Sequence, residues 1–155
     1  MIRRAKVEDV NGISELLRQI DELHAEIRPD IFKAGHEKYT DEELRDIISK
    51  KSMDVFVYEG DDGRIIGHAF CVFEETKNVN NMNDRKCLYI DDICIDENER
   101  GKGIATALYQ HVKDFAKENN CQAITLNVWE GNDSAVKFYK EMGLVPLKTI
   151  MEQLL

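Results

Sequence analysis

The chain has 155 residues, 43% of them hydrophobic and 33% charged, with a formal net charge of −9. That length suits one domain, residues 1–155, with a single substantial core. No stretch approaches the ~20 apolar residues of a membrane span. The acidity weighs against a phosphate-backbone partner and mildly favours a cationic substrate. Neither a nucleic-acid nor a membrane partner is therefore expected.

Met1-Ile2-Arg3-Arg4 runs straight into an acidic, periodic segment without the apolar core of a signal peptide. The cytoplasm is the expected location. Cys71, Cys87, Cys94 and Cys121 are scattered, as are His24, His36, His68 and His111. Zinc-ligand spacing is absent, so no metal is expected, and disulfides do not suit this compartment.

Ile2 to Lys6 reads as a short strand. Val10, Ile13, Leu16, Leu17, Ile20, Leu23 and Ile27 recur at helical spacing and predict a helix from about Glu8 to Glu26, ended by Pro29. Thr40 with Glu43 forms a capping box for a second helix reaching about Ser49. Val55 to Glu59 and Ile65 to Glu75 are strands joined at Asp61-Asp62-Gly63, a hairpin. After the polar stretch Thr76 to Asp84 comes a central strand, Lys86 to Ile95.

A helix marked by Ile104, Leu108, Val112, Phe115 and Ala116 follows and stops at Asn119-Asn120. Ala123 to Val128 alternates as another strand. Asn132 or Asp133 caps a last helix carrying Ala135, Phe138, Tyr139 and Met142, with Gly143 beyond its end. Leu144 to Gln153 is expected to close the sheet as a final β segment. The order β-α-α-β-β-β-α-β-α-β predicts an α/β fold of mixed α+β type, a mixed sheet flanked by helices.

The run Arg100-Gly101-Lys102-Gly103-Ile104-Ala105 lies between the central strand and the helix after it. Small residues entering a helix let backbone N–H groups approach a phosphate, and the helix dipole favours its charge. A nucleotide P-loop fails because no hydroxyl residue follows Lys102. A dinucleotide fingerprint fails because position 106 is Thr.

Arg100-x-x-Gly103-x-Ala105 on this element order resembles the GNAT superfamily of acetyl-CoA-dependent N-acetyltransferases. Asn132-x-x-Ala135-x-x-Phe138-Tyr139-x-x-x-Gly143 strengthens the resemblance, and the element order extends it over essentially the whole chain. It implies a GNAT-like fold with a mostly antiparallel sheet splayed at the fourth strand. It also implies acetyl-CoA as cosubstrate. Backbone amides of Gly101, Lys102, Gly103, Ile104, Ala105 and Thr106 would hold its pyrophosphate, with Arg100 and Lys102 adding charge or remaining solvated. Ile93, Cys94 and Ile95 would pair with the pantetheine arm, and Asn132 would contact it from the other side.

A lysine-like amine with pKa ~10.4 is neutral in only about one molecule in a few thousand at pH 7, so the reaction needs a base. Asp91 and Asp92 are the acidic groups on the central strand. Adjacent strand residues point to opposite faces, so only one of the two is expected to face an acceptor. Asp91, nine residues before Arg100, resembles the acidic position of polyamine acetyltransferases and stands first; Asp92 stands second. Tyr139 matches the family's general-acid tyrosine.

The acceptor pocket is expected around His24, Glu26, Arg28, Asp30, Phe32, Tyr39 and the Asn78 to Asp84 loop. The implied function is direct transfer of an acetyl group to a primary amine of a small cationic acceptor. A protein or peptide N-acetyltransferase, acting on an N-terminal amine or lysine, and a noncatalytic acyl-CoA-binding module stay open. A homodimer is the further assembly to be tested.

Overall fold

The computed structural model describes residues 1–155. Five strands form one sheet in the order β1 (Ile2–Arg4), β2 (Asp54–Glu59), β3 (Ile65–Thr76), β4 (Arg85–Ile95) and β5 (Ala123–Leu126). The first three pairings are antiparallel, and β4 runs parallel to β5. Four helices complete it: α1 (Val10–Ile27), α2 (Asp41–Lys50), α3 (Ile104–Glu118) and α4 (Asp133–Glu141).

Periodicity decides what each face buries. Val10, Ile13 and Leu17 of α1 and Leu44 of α2 meet Val55, Val57 and Phe70 on one face of the sheet. Ile104, Leu108, Tyr109, Val112 and Ala116 of α3 meet Phe56, Ala69, Cys71, Leu88 and Ile90 on the other. Burying such side chains stabilises the fold by about 1.5–3 kcal/mol each. Three cysteines, Cys71, Cys87 and Cys94, lie buried in strands as small apolar residues.

The local signals act as their chemistry dictates. Thr40 and Glu43 form the reciprocal capping box of α2, and Asn132 caps α4 by accepting the Ala135 N–H. Pro29 stands just past the C-cap of α1.

Two expectations require correction. Leu144 to Gln153 does not form a closing strand. The segment after α4 has no regular structure, and the outer edge of β5 is left without a neighbour. Alternating apolar residues supply β propensity, but propensity alone makes no strand, and this segment does not pair with the open edge of its own β5. Nor do Asp91 and Asp92 point to opposite faces. β4 bulges there: Cys71 pairs with Ile90 and Phe70 with Asp92, so Asp91 is an extra residue without a partner on β3. The inserted residue resets the alternation and kinks the strand.

Candidate active site

β4 leaves its parallel neighbour at the bulge. The β4–β5 pairing runs from Cys87↔Ala123 to Ile90↔Leu126 and ends there, while β4 continues to Ile95 along β3. Residues 91–95 therefore have no strand paired on that side, a gap in the ladder. The Asp96 N–H donates to Ile66 O on β3 at 3.0 Å. N–H directions alternate along a strand, so those of Ile95 and Ile93 face the gap.

Past the end of β4 a single 3-10 turn, Glu97–Glu99, leads into the Arg100 to Gly103 run. Gly101 and Gly103 adopt left-handed backbone with φ of 76° and 79°, and a Cβ on either would meet nothing within 4 Å. Only glycine takes this conformation without strain. Gly103 is the N-cap of α3 and offers no side-chain cap, so the first-turn N–H groups at Ile104, Ala105 and Thr106 lack one. Open space, free donors and the positive end of a helix dipole coincide, which fits a phosphate group. Lys102 is paired to Glu99 at 2.7 Å, whereas Arg100 is exposed and makes no ion pair.

The two carboxylates of the bulge share the α1/α2 face but have different partners. Asp91 Oδ2 accepts from Lys38 Nζ and from Tyr39 OH, each at 2.8 Å, and Lys38 Nζ also reaches the Asp91 carbonyl at 3.3 Å. Tyr39 stacks on Phe70, the cross-strand partner of Asp92. Asp92, almost fully buried, lies 3.2 Å from His68 Nε2. His68 is wholly buried and its Nδ1 has no partner. The tautomer protonated at Nε2 leaves an acceptor rather than a donor unpaired there, and lets His68 donate to Asp92.

Electrostatics follow from burial. Burial alone would raise the Asp92 carboxyl, but the hydrogen bond from His68, helped by the charge of Lys38, outweighs it and holds the group below the usual carboxylate range. Burial raises the Asp21 carboxyl, with Asp92 adding repulsion. Burial also pushes the His24 imidazole down, so it is uncharged at neutral pH. Asp21, Asp91 and Asp92 thus face one lysine, Lys38, whose backbone N–H is itself held by Asp21 at 2.8 Å. The excess is negative and suits a cation.

Tyr139, on α4, is pushed well above the ordinary phenol range, first by burial and then by the charge of Asp92. Its hydroxyl therefore stays protonated throughout the neutral range. The Cys94 thiol, which donates to Leu16 O at 3.5 Å, is pushed up to about 12 by burial. It is a thiol and not a thiolate at pH 7, so it does not serve as a nucleophile.

The structure brings together Asp91, Asp92, the open edge at Ile93 to Ile95, and Tyr139. Asn132 is buried and its carboxamide oxygen caps α4, leaving its NH2 group to donate. Among the expected acceptor residues, Tyr39 touches Asp91. His24 stacks on Phe32, which meets Trp129 edge-on. Arg28 instead pairs with Asp30 and Glu152, so both charges are spent on the protein itself. Lys38 and His68 were not legible as site residues. Lys38 lies in an unpatterned loop, and His68 reaches Asp92 only through the β3–β4 register.

The sequence matches the acetyltransferase (GNAT) family over residues 17–144. It is 35% identical over 88 residues to the streptothricin acetyltransferase of Streptomyces lavendulae, which is 57% of this chain and 42% of that protein. It is 32% identical over 90 residues to the spermine/spermidine N(1)-acetyltransferase of Bacillus subtilis, 56% of this chain and 54% of that protein. The chain spans about half of the length of the curated relatives it matches. The fold superposes on a mutant of the BH1408 protein from Bacillus halodurans with a TM-score of 0.96 and 29% identity, covering 100% of this chain and 99% of that one.

Proposed function

We propose that this chain, which belongs to the acetyltransferase (GNAT) family, transfers an acetyl group to a primary amine of a small cationic acceptor. The observation that carries the acceptor class is the pair Asp91 and Asp92 on one face, joined by Asp21 and offset by Lys38 alone. Streptothricin and spermine or spermidine acetyltransferases are among its relatives, which supports the same class.

Acetyl-CoA, when bound, supplies a thioester whose acetyl group passes to the amine. The residues present fit it: uncapped N–H groups of α3 beside Gly101 and Gly103 would hold its pyrophosphate. The gap-facing N–H groups of Ile93 and Ile95 would pair with its arm as an added strand. Arg100 is free to add charge, and the Asn132 NH2 group lies at the start of α4.

The acceptor ammonium is drawn to the two carboxylates. Asp92 takes one proton from the ammonium, the neutral amine forms the N–C bond to the thioester carbonyl, and the nitrogen, now acidic, loses its second proton to water. Asp92 is preferred over Asp91 because it is the carboxylate whose charge acts on Tyr139, and because Asp91 is engaged by Lys38 and Tyr39. His68 orients Asp92. Tyr139 donates its hydroxyl hydrogen to the departing sulfur. With Cys94 kept as a thiol, transfer is direct, without an acyl-cysteine. Four free cysteines suit a reducing cytoplasm, and no helix is long and apolar enough to cross a membrane.

Thiol release from acetyl-CoA tests this reading against polyamines, aminoglycosides and short peptides. Release with polycations and not with peptides is expected. Release only with peptides would move the function to a protein N-acetyltransferase.

A further inference from the structure

We infer that Lys38 is an acceptor built into the chain: its side-chain amine takes an acetyl group from acetyl-CoA bound to the same molecule. The inference rests on the acetyl transfer proposed above and adds a modification site to it. Lys38 Nζ stands where the ammonium of an acceptor is expected, 2.8 Å from Asp91 Oδ2 and 3.3 Å from the Asp91 carbonyl. Its charge also bears on Asp92 and Asp21. The amine thus touches the backbone of the bulge itself, two residues before Ile93, where the edge offered to the cosubstrate begins.

The loop between α1 and α2 has neither helix nor strand, yet three consecutive contacts fix its end. Glu37 pairs with Arg18 of α1 at 2.6 Å, Asp21 accepts the Lys38 N–H at 2.8 Å, and the Tyr39 ring stacks on Phe70. Tyr39 OH already donates to the same Asp91 oxygen, so docking of the loop does not depend on the lysine amine. The other ion-paired lysines, Lys50, Lys77, Lys102, Lys117 and Lys137, meet carboxylates two to four residues away in the chain. Lys38 crosses instead to β4 and the acceptor carboxylates. Its side chain is 38% exposed, and a salt bridge so open to water contributes only about 0–1 kcal/mol. The amine is free to leave Asp91, and its flexible four-carbon stem lets it swing toward the gap without moving the loop.

Transfer to Lys38 follows the route given for a free amine. Asp92 takes one proton from the ammonium. The Nζ lone pair forms the N–C bond to the thioester carbonyl, the C–S bond breaks, and the departing sulfur takes a proton from Tyr139. The nitrogen gives its second proton to water. The product is a neutral amide, so the cation that offsets Asp21, Asp91 and Asp92 is lost.

Peptide mass mapping of the full wild-type chain, incubated with acetyl-CoA and no added acceptor, tests this. One acetyl group on Lys38 is expected. Lys50 and Lys137, at 69% and 80% exposed, report uncatalysed acetylation and should lag far behind. At saturating acetyl-CoA the fraction acetylated per minute should not change when the protein is diluted. Excess spermine should suppress the reaction by competing for the same carboxylates. Tyr139→Phe should slow it about 100-fold or more, in step with polyamine turnover. Polyamine acetylation with no acetyl on Lys38 would overturn this inference and leave the acceptor reading standing, whereas absence of both would overturn both. Equal acetylation of Lys50 and Lys137 would also overturn it, as would a rate that falls on dilution. So would a rate on Lys38 that Tyr139→Phe leaves intact while polyamine turnover falls.

Discussion

Asp91 and Asp92 are consecutive on β4, yet both present their carboxylates to the same face of the sheet. Asp91 meets Lys38 and Tyr39, and Asp92 meets His68. One unpaired residue in the strand ladder does this. The β4–β5 pairing ends at Ile90, just before that bulge, and leaves the gap beside Ile93 to Ile95. Acceptor charge and cosubstrate edge thus meet at one point of β4.

The pair can be separated by pH. Asp92→Asn is expected to cut turnover most at low pH, with part of the rate returning as pH rises and supplies neutral amine. Asp91→Asn is expected to raise KM for cationic acceptors without that rescue. Since His68 holds the Asp92 carboxyl below its usual range, the group stays ionised through neutral pH, and the wild-type acid limb it produces lies below about pH 4. Rescue at high pH in Asp91→Asn and not in Asp92→Asn would exchange the roles.

Tyr139→Phe keeps the ring and its contact with Phe138 while deleting the hydroxyl. The hydroxyl makes no hydrogen bond within the protein, so the melting temperature should barely move. Turnover should fall by ~100–10,000-fold, with acetyl-CoA affinity retained in calorimetry. Because burial and Asp92 raise this phenol above its ordinary range, no loss of wild-type rate from its ionisation is expected up to about pH 10. Equal turnover of the two proteins would leave Tyr139 a packing residue.

Gly103→Val places a branched side chain at a left-handed position and in the open space before α3. Strain should cost about 1–2 kcal/mol of stability, readable in urea unfolding. Acetyl-CoA affinity should fall by about tenfold or more. Unchanged affinity in the folded variant would remove the α3 N-terminus from the binding site.

Asp9, at the entry to α1, accepts two hydrogen bonds from Arg3, at 2.7 and 2.9 Å, and one from the Lys6 N–H at 2.7 Å. Burial opposes its ionisation, but Arg3 and the Lys6 N–H prevail and lower its carboxyl. A carboxyl lowered on folding contributes stability above its unfolded pKa, ~3.9, which is lost as pH falls through the folded value. Asp9→Asn should therefore cost about 2 kcal/mol at pH 7 and progressively less below about pH 4. A cost in thermal melts that did not shrink in acid would assign the effect to packing.

Much of this was legible because it is local. Apolar spacing marked α1 and α3, Thr40 with Glu43 marked the start of α2, and Gly101 with Gly103 marked the turn before α3. What escaped depends on partners distant in sequence. The bulge at Asp91 exists only in the register of β4 against β3. His68 becomes a site residue through that register, and Lys38 through the docking of its loop on α1 by Asp21. The segment after Leu144 has strand chemistry without a strand partner in its own chain, which no local pattern reveals.

The central claim is acetyl transfer from acetyl-CoA to a cationic amine beside Asp92. The most direct measurement is mass spectrometry of a polyamine acceptor after incubation with acetyl-CoA and either wild-type or Asp92→Asn protein. The account predicts singly acetylated amine in step with thiol release by the wild-type protein, and a large deficit at neutral pH in the variant. Tight acetyl-CoA binding with no acetylated product from any polyamine, aminoglycoside or peptide would contradict it.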